Sequence, residues 1–198
     1  YFYLKHDGSL SHGFEIVTHP ITQQYRHKHI DWRKILKKLK SLGCDSYTGG
    51  ECGLHIHVSK SELSNIDTLK MLRFFTICKT QVTKISARKD FNFCKIESLS
   101  KQYYKEYLQD SKLPNYDRYT AINSNTGKKT VEFRVFRGTL SYDRVIASFQ
   151  FVDSLVHFVK SHGIPYINNS DIWIKYKDYL KTDSRYPQLV KYLAKKGL

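Results

Sequence analysis

The sequence predicts an α+β domain, a mainly antiparallel sheet with helices packed on one face. Apolar and polar residues alternate with period two over 13–20, 52–59 and 129–137, the pattern of half-buried strands. Elsewhere apolar residues recur with helical period, most plainly over 30–42, 67–85 and 145–159. A turn signal at Asn125-Thr126-Gly127 joins the run Tyr119–Asn123 to the strand at 129–137 as a hairpin. Hairpin strands interleaved with amphipathic helices give α+β, and the uncovered face of such a sheet is free to carry polar rows.

Taken in order, Tyr1–Leu4 is a short apolar strand and His6-Asp7-Gly8-Ser9 a turn. The next strand, GFEIVTHP at 13–20, is stopped by Pro20. Ile30, Ile35, Leu36, Leu39 and Leu42 define a helix over 30–42 that ends at Gly43. A polar loop at 44–51, with the pair Gly49-Gly50, leads into the strand CGLHIHVS at 52–59. Asp67 is the expected N-cap of a helix running to about Ile85, with Leu69, Leu72, Phe75 and Val82 on its inner face. Residues 86–95 read as irregular, and 97–109 as a polar, Tyr-rich helix ending before Pro114. After the hairpin, Val145, Phe149, Val152, Leu155, Val156 and Val159 mark a long helix closed by Gly163 and Pro165. Two shorter basic helices are expected over 170–181 and 186–196.

Composition narrows the class. With 198 residues, 40% hydrophobic and 14% aromatic, the chain can bury a sizeable core. No apolar run approaches the roughly 20 residues of a membrane span. Cys44, Cys52, Cys78 and Cys94 show neither CxxC spacing nor a secreted-protein framework, so they are expected to be reduced, in a cytoplasmic protein. The formal charge of +15 has two readings: lysines on solvated helix faces, or attraction to polyanions such as nucleic acid or nucleotides. Tyr1 reads as mid-strand, so residues are expected to precede it.

The chemistry gathers on two strands. His55 and His57 share one face of 52–59, their Cα atoms roughly 6–7 Å apart. Together they read as metal ligands, as one ligand and one phosphate contact, or as two partly exposed imidazoles. Glu132 and Arg134 share a face of TVEFRVFRGT at 130–139, where the surroundings are apolar. They pair with each other, or Glu132 serves a hard cation while Arg134 and Arg137 make bidentate contact with a phosphate or carboxylate. Glu15, between Phe14 and Ile16, calls for a metal or a neighbouring Lys or Arg as partner. Arg88 and Arg118 lie where a guanidinium can reach a polar cleft. Two carboxylates, an imidazole and several arginines fit metal-assisted phosphoryl transfer, although there is no GxxxxGK[ST] and no GxGxxG.

These motifs also occur together elsewhere. DGSL at 7–10, GFEIVTHP, CGLHIHVS, YTAIN at 119–123 and TVEFRVFRGTL at 130–140, in this order, resemble the amidoligase family. That family is related to glutamine synthetase and glutamate–cysteine ligase, the carboxylate–amine ligases. The resemblance runs from about residue 6 to about 160. It implies a glutamine-synthetase-like catalytic domain over 1–165, followed by a basic helical extension over 166–198. It further implies an antiparallel sheet whose concave face binds ATP with Mg²⁺ or Mn²⁺. ATP would phosphorylate a substrate carboxylate, and an amine would attack the acyl phosphate to form an amide. Carried over by motif, Glu15, His55 and Glu132 would be metal ligands. His57, Arg88, Arg118 and Arg137 would contact the ATP phosphates, Arg134 the transferred phosphate or substrate carboxylate, and Asp7 would orient the amine or a metal-bound water.

Family members usually begin with a strand carrying a G-x-E-x-E-like pair of carboxylates, and nothing of that kind precedes DGSL here. The chain is therefore expected to lack the N-terminal strand of such a domain. Its substrates would be small-molecule or peptide carboxylates and amines, and glutamine-synthetase relatives often build sites between subunits, so an oligomer is compatible. Two other classes stay open. One is a non-catalytic basic interaction protein, such as a phage or mobile-element component that contacts nucleic acid or another polyanion. The other is a zinc- or manganese-dependent hydrolase or nuclease using His55 and His57.

Overall fold

A computed structural model describes the whole chain except residues 9, 11, 48, 49, 51, 89, 90, 101, 103, 104, 107, 108, 110–118 and 125–128. The class is α+β, with two small antiparallel sheets rather than one. Among the described residues strand β1 (Phe2–Lys5) pairs only with β2 (Glu15–Thr18), in a register that sets Lys5 across from Glu15. The second sheet has the order β3-β5-β4, from β3 (Gly53–Ser59), β5 (Thr130–Arg137) and β4 (Ile122–Asn123). The single sheet expected from the sequence is thus split. All of β1 is exposed, including Phe2, Tyr3 and Leu4; apolar composition marked the strand without marking burial.

The helices differ from the expected set at their breaks. The region expected as one helix over 30–42 holds only α2 (Trp32–Ser41), preceded by α1 (Gln23–His29), which has no apolar stripe to announce it. Thr22 caps α1 through a hydrogen bond from Tyr25 N at 3.1 Å, and Arg26 lies over the Phe149 ring at 4.4 Å. Ile30 is extended and buried between the two helices, and Asp31 caps the second by accepting from Lys34 N at 2.9 Å.

The helix expected over 67–85 is likewise two: α3 (Asn65–Ile77) and α4 (Lys79–Ser86), parted at Cys78. Asp67 is not its N-cap. Ser64 holds that position and Asp67 closes a capping box from the first turn. Asp67 also pairs with the buried Lys70 at 2.9 Å, and Lys70 donates to the carbonyls of Val159 and His162. Those carbonyls lie at the C-terminal end of α5 (Tyr142–Ser161), where unsatisfied acceptors favour a cation. Of the helix expected over 97–109, Gln102, Lys105, Glu106 and Gln109 are helical; its remaining positions from 101 on, like the turn 125–127, lie outside the described residues.

Helices α3 and α5 cover one face of the three-stranded sheet, with Phe133 of β5 6.1 Å from Phe75 and Phe136 6.1 Å from Phe151. The core continues past the expected boundary at 165/166 into α6 (Ile164–Ile167), α7 (Ile172–Thr182) and α8 (Pro187–Lys195). Buried Tyr176 packs edge-on against Phe74 and Phe158 and shares a hydrogen bond with Ser154 at 2.5 Å. Gln150 of α5 accepts from Leu189 N at 2.8 Å. No disulfide joins the four cysteines; burial pushes the Cys78 thiol up to about 12, which leaves it an inert packing group. No helix among the described residues is long and apolar enough to cross a membrane.

Candidate active site

The uncovered face of β3–β5 carries the chemistry. In the pairing register Leu54 opposes Phe136 and Ile56 opposes Phe133, so His55 alone faces two residues, Arg134 and Val135. That bulge keeps Phe133 and Phe136 on the core side although they are three apart. It also brings Arg134 back beside Glu132, and sets Arg137 across from Gly53.

Glu132 is the hub, with 9% of its side chain accessible. Its Oε1 lies 3.1 Å from His55 Nδ1, 2.9 Å from Arg134 Nη1 and 3.7 Å from His57 Nε2. Its other oxygen, Oε2, has Asn123 Nδ2 at 3.5 Å, directly across the hairpin. Burial alone would disfavour the carboxylate. The hydrogen bond from His55 and the charges of Arg134, His55 and His57 outweigh it, and hold Glu132 at about 2 instead of 4.5. His57, the more exposed imidazole, shares a hydrogen bond with Thr130 Oγ1 at 3.1 Å.

Arg88 arrives from a different element. Helix α4 ends at Ala87 with a left-handed backbone, φ 55°, which costs a non-glycine residue about 1 kcal/mol. The turn brings Arg88 over β3, where the absence of a side chain at Gly53 makes room for it. A Cβ at Gly53 would stand 2.8 Å from Arg88 Nη2 and 3.0 Å from His55 Nε2. Arg137 lies over the Tyr47 ring at 3.8 Å, so the loop before β3 also folds onto this face. Gly138 permits that approach, since a Cβ there would meet the Ser46 and Cys52 carbonyls at 2.8 Å.

One feature of the three arginines is shared. The Nε atoms of Arg88, Arg134 and Arg137 are buried and find no hydrogen-bond partner among the described residues. Buried donors of this kind are rare, and three occur within this one group of arginines.

The structure therefore brings His55, His57, Arg88, Glu132, Arg134 and Arg137 to one place. Glu15 stands on β2, in the other sheet, and Asp7 lies in the turn that follows β1, its carbonyl accepting from Leu10 N at 3.1 Å. Arg118 lies outside the described residues. Glu132 and Arg134 do pair with each other, the simpler of the two expected arrangements. Asn123, Gly53 and Tyr47 were not singled out from sequence. Hairpin register could have found Asn123, whereas Gly53 and Tyr47 depend on how α4 and a loop cross the sheet.

No group of three or more His, Cys, Asp or Glu side chains among the described residues could hold a metal ion. His55, His57 and Arg134 all point at Glu132 Oε1, an oxygen already engaged, and Oε2 is the one a cation could take. No family model, curated protein or solved structure matches the chain.

Proposed function

We propose that the chain is an ATP-dependent carboxylate–amine ligase, or the part of one that holds the phosphate groups. One observation supports this above the others: three arginines whose buried Nε atoms find no hydrogen-bond partner among the described residues share a sheet face with a carboxylate held ionised by Arg134 and two imidazoles. The order of the amidoligase-like motifs adds to it. On this reading Arg88, Arg134 and Arg137 bind the phosphates of ATP, with His57 at the exposed rim. Arg134 has a double task, since it neutralises Glu132 through Nη1 and keeps Nε for the transferred phosphate or the substrate carboxylate. Glu132 Oε2 and His55 are the ligands that this face offers to Mg²⁺, an ion commonly bound by one or two carboxylates together with phosphate oxygens and water. Mg²⁺–ATP would supply the phosphoryl group that turns a carboxylate into an acyl phosphate open to an amine. The three arginines stabilise the charge that accumulates as the two anions meet.

Binding of the non-hydrolysable analogue AMPPNP with MgCl₂, followed by calorimetric titration, tests the reading. Wild type should bind, and Arg88→Met and Arg134→Met should each weaken binding by roughly tenfold or more, the weight of a charged hydrogen bond. A wild-type chain without affinity at millimolar AMPPNP would rule the reading out.

A further inference from the structure

The active-site reading leaves unused a second charged region, on the other side of the sequence from the sheet chemistry. Residues 19–44 carry Arg26, Lys28, Arg33, Lys34, Lys37, Lys38 and Lys40 against a single acid, Asp31. Asp31 is occupied as the N-cap of α2. Arg26 and Arg33 are seated on rings of the core side, over Phe149 and Tyr142. In α2, Trp32, Leu36 and Leu39 face inward, which at 100° per residue puts Lys34, Lys37 and Lys38 in one stripe on the opposite face. These three lysines and Lys28 are exposed, and none has an acidic partner among the described residues.

Helix α1, which packs on Phe149 as α2 does through Trp32, carries part of a row of rings. Tyr3 stands on β1, and Tyr1 immediately precedes the strand, its carbonyl accepting from His19 N at 3.0 Å. Tyr1 packs on Tyr25 at 5.2 Å, Tyr25 on His29 at 4.5 Å, and Tyr3 on His19 at 5.4 Å. Tyr1 is 71% and Tyr3 46% accessible. A hydrogen bond with Tyr1 pushes the Tyr25 phenol up to about 12, so it adds no negative charge to this face. Lys28 sits one helical turn from Tyr25, which ties the ring row to the lysines.

We propose that α1, α2 and the aromatic face of β1 form a binding surface for single-stranded nucleic acid. Exposed rings accept unstacked bases of any sequence, and the lysine stripe tracks the phosphates; each half alone would suit other partners, but together they fit an extended polynucleotide. Duplex hides its bases and an acidic polypeptide has none, so both would use the lysines alone. The surface shares no residue with the Arg88–Arg134–Arg137 site, and the proposal stands or falls independently of the ligase reading.

Fluorescence anisotropy with labelled dT20 across a salt series tests it on the full chain. Four or so phosphate contacts predict a slope of log K against log [salt] of about −3. The exposed triple variant Lys34→Glu/Lys37→Glu/Lys38→Glu should abolish binding, and Tyr25→Ala should weaken it roughly tenfold with the salt slope unchanged. Glu132→Gln should leave it as in wild type. Three results would overturn the proposal: the triple variant binding dT20 like wild type, Tyr25→Ala having no effect, or a 20-base-pair duplex or poly-glutamate binding as tightly as dT20.

Discussion

Glu132 sits in a strand flanked by Val131 and Phe133, where an unpaired carboxylate would be costly. Its partners reverse the balance, and its pKa of about 2 in the folded chain against 4.5 makes it a stabilising group over most of the pH range. A carboxylate with a lower pKa folded than unfolded favours the fold wherever it is ionised in both states. Its contribution, on the order of 3 kcal/mol, is therefore complete above about pH 4.5 and is lost as the pH falls toward 2. Urea unfolding at pH 6 and pH 3 should show the wild type losing about 2 kcal/mol more than Glu132→Gln over that interval. Other lowered carboxylates, Asp67 and Asp183, titrate in both proteins and cancel in the comparison. Equal losses in the two proteins would mean that Glu132 is not held ionised by its neighbours.

Strands β3 and β5 show what period-two reading can and cannot reach. Alternation sets His55 with His57 on one face of their strand and Glu132 with Arg134 on one face of theirs, and the four side chains meet. Alternation leaves Arg137 without a defined neighbour. The bulge opposite His55, invisible to a strict period, brings Phe136 inward and Arg137 over to Gly53. The same limit governed the helices, since the breaks at Ile30–Asp31 and Cys78 lie inside continuous apolar periodicity. Gly53 offers a test at this scale. Gly53→Ala crowds only the ends of the Arg88 and His55 side chains, so the melting temperature should stay within a few degrees, because alanine is favoured over glycine in a strand by roughly 0.5–1 kcal/mol and this offsets the small shift of those ends. Displacement of Arg88 should nevertheless weaken AMPPNP binding roughly tenfold. Unchanged affinity would separate Arg88 from the anion site.

Across the whole molecule, charge was a poor guide to which parts form the core. The stretch after 165 reads as a basic extension, because its lysines dominate its composition and its apolar residues are spread thinly. In three dimensions Ile167, Ile172, Tyr176, Leu180, Tyr186, Leu189 and Leu193 are all buried in the one cluster that also holds Phe74, Phe151 and Phe158. Tyrosine explains the discrepancy. Its ring packs as a core residue provided the hydroxyl has a partner, and here Tyr176 has Ser154, Tyr186 has Asp153 and Tyr192 has the Ile85 carbonyl. Hydropathy scores such residues as half polar; the partners that make them apolar in effect lie on α5 and α4, far away in sequence. At about 2 kcal/mol for each large side chain buried, the tail contributes an amount comparable to the roughly 5–15 kcal/mol by which a domain is stable. A chain cut after Pro165 would also expose the Phe74–Phe158 side of α3 and α5 to water. Residues 1–165 should accordingly show no cooperative thermal transition by circular dichroism and no near-ultraviolet signature of packed aromatics, whereas the full chain shows both. If residues 1–165 melted cooperatively with the aromatic signal intact, the helices after 165 would be an attachment to the core and not a part of it.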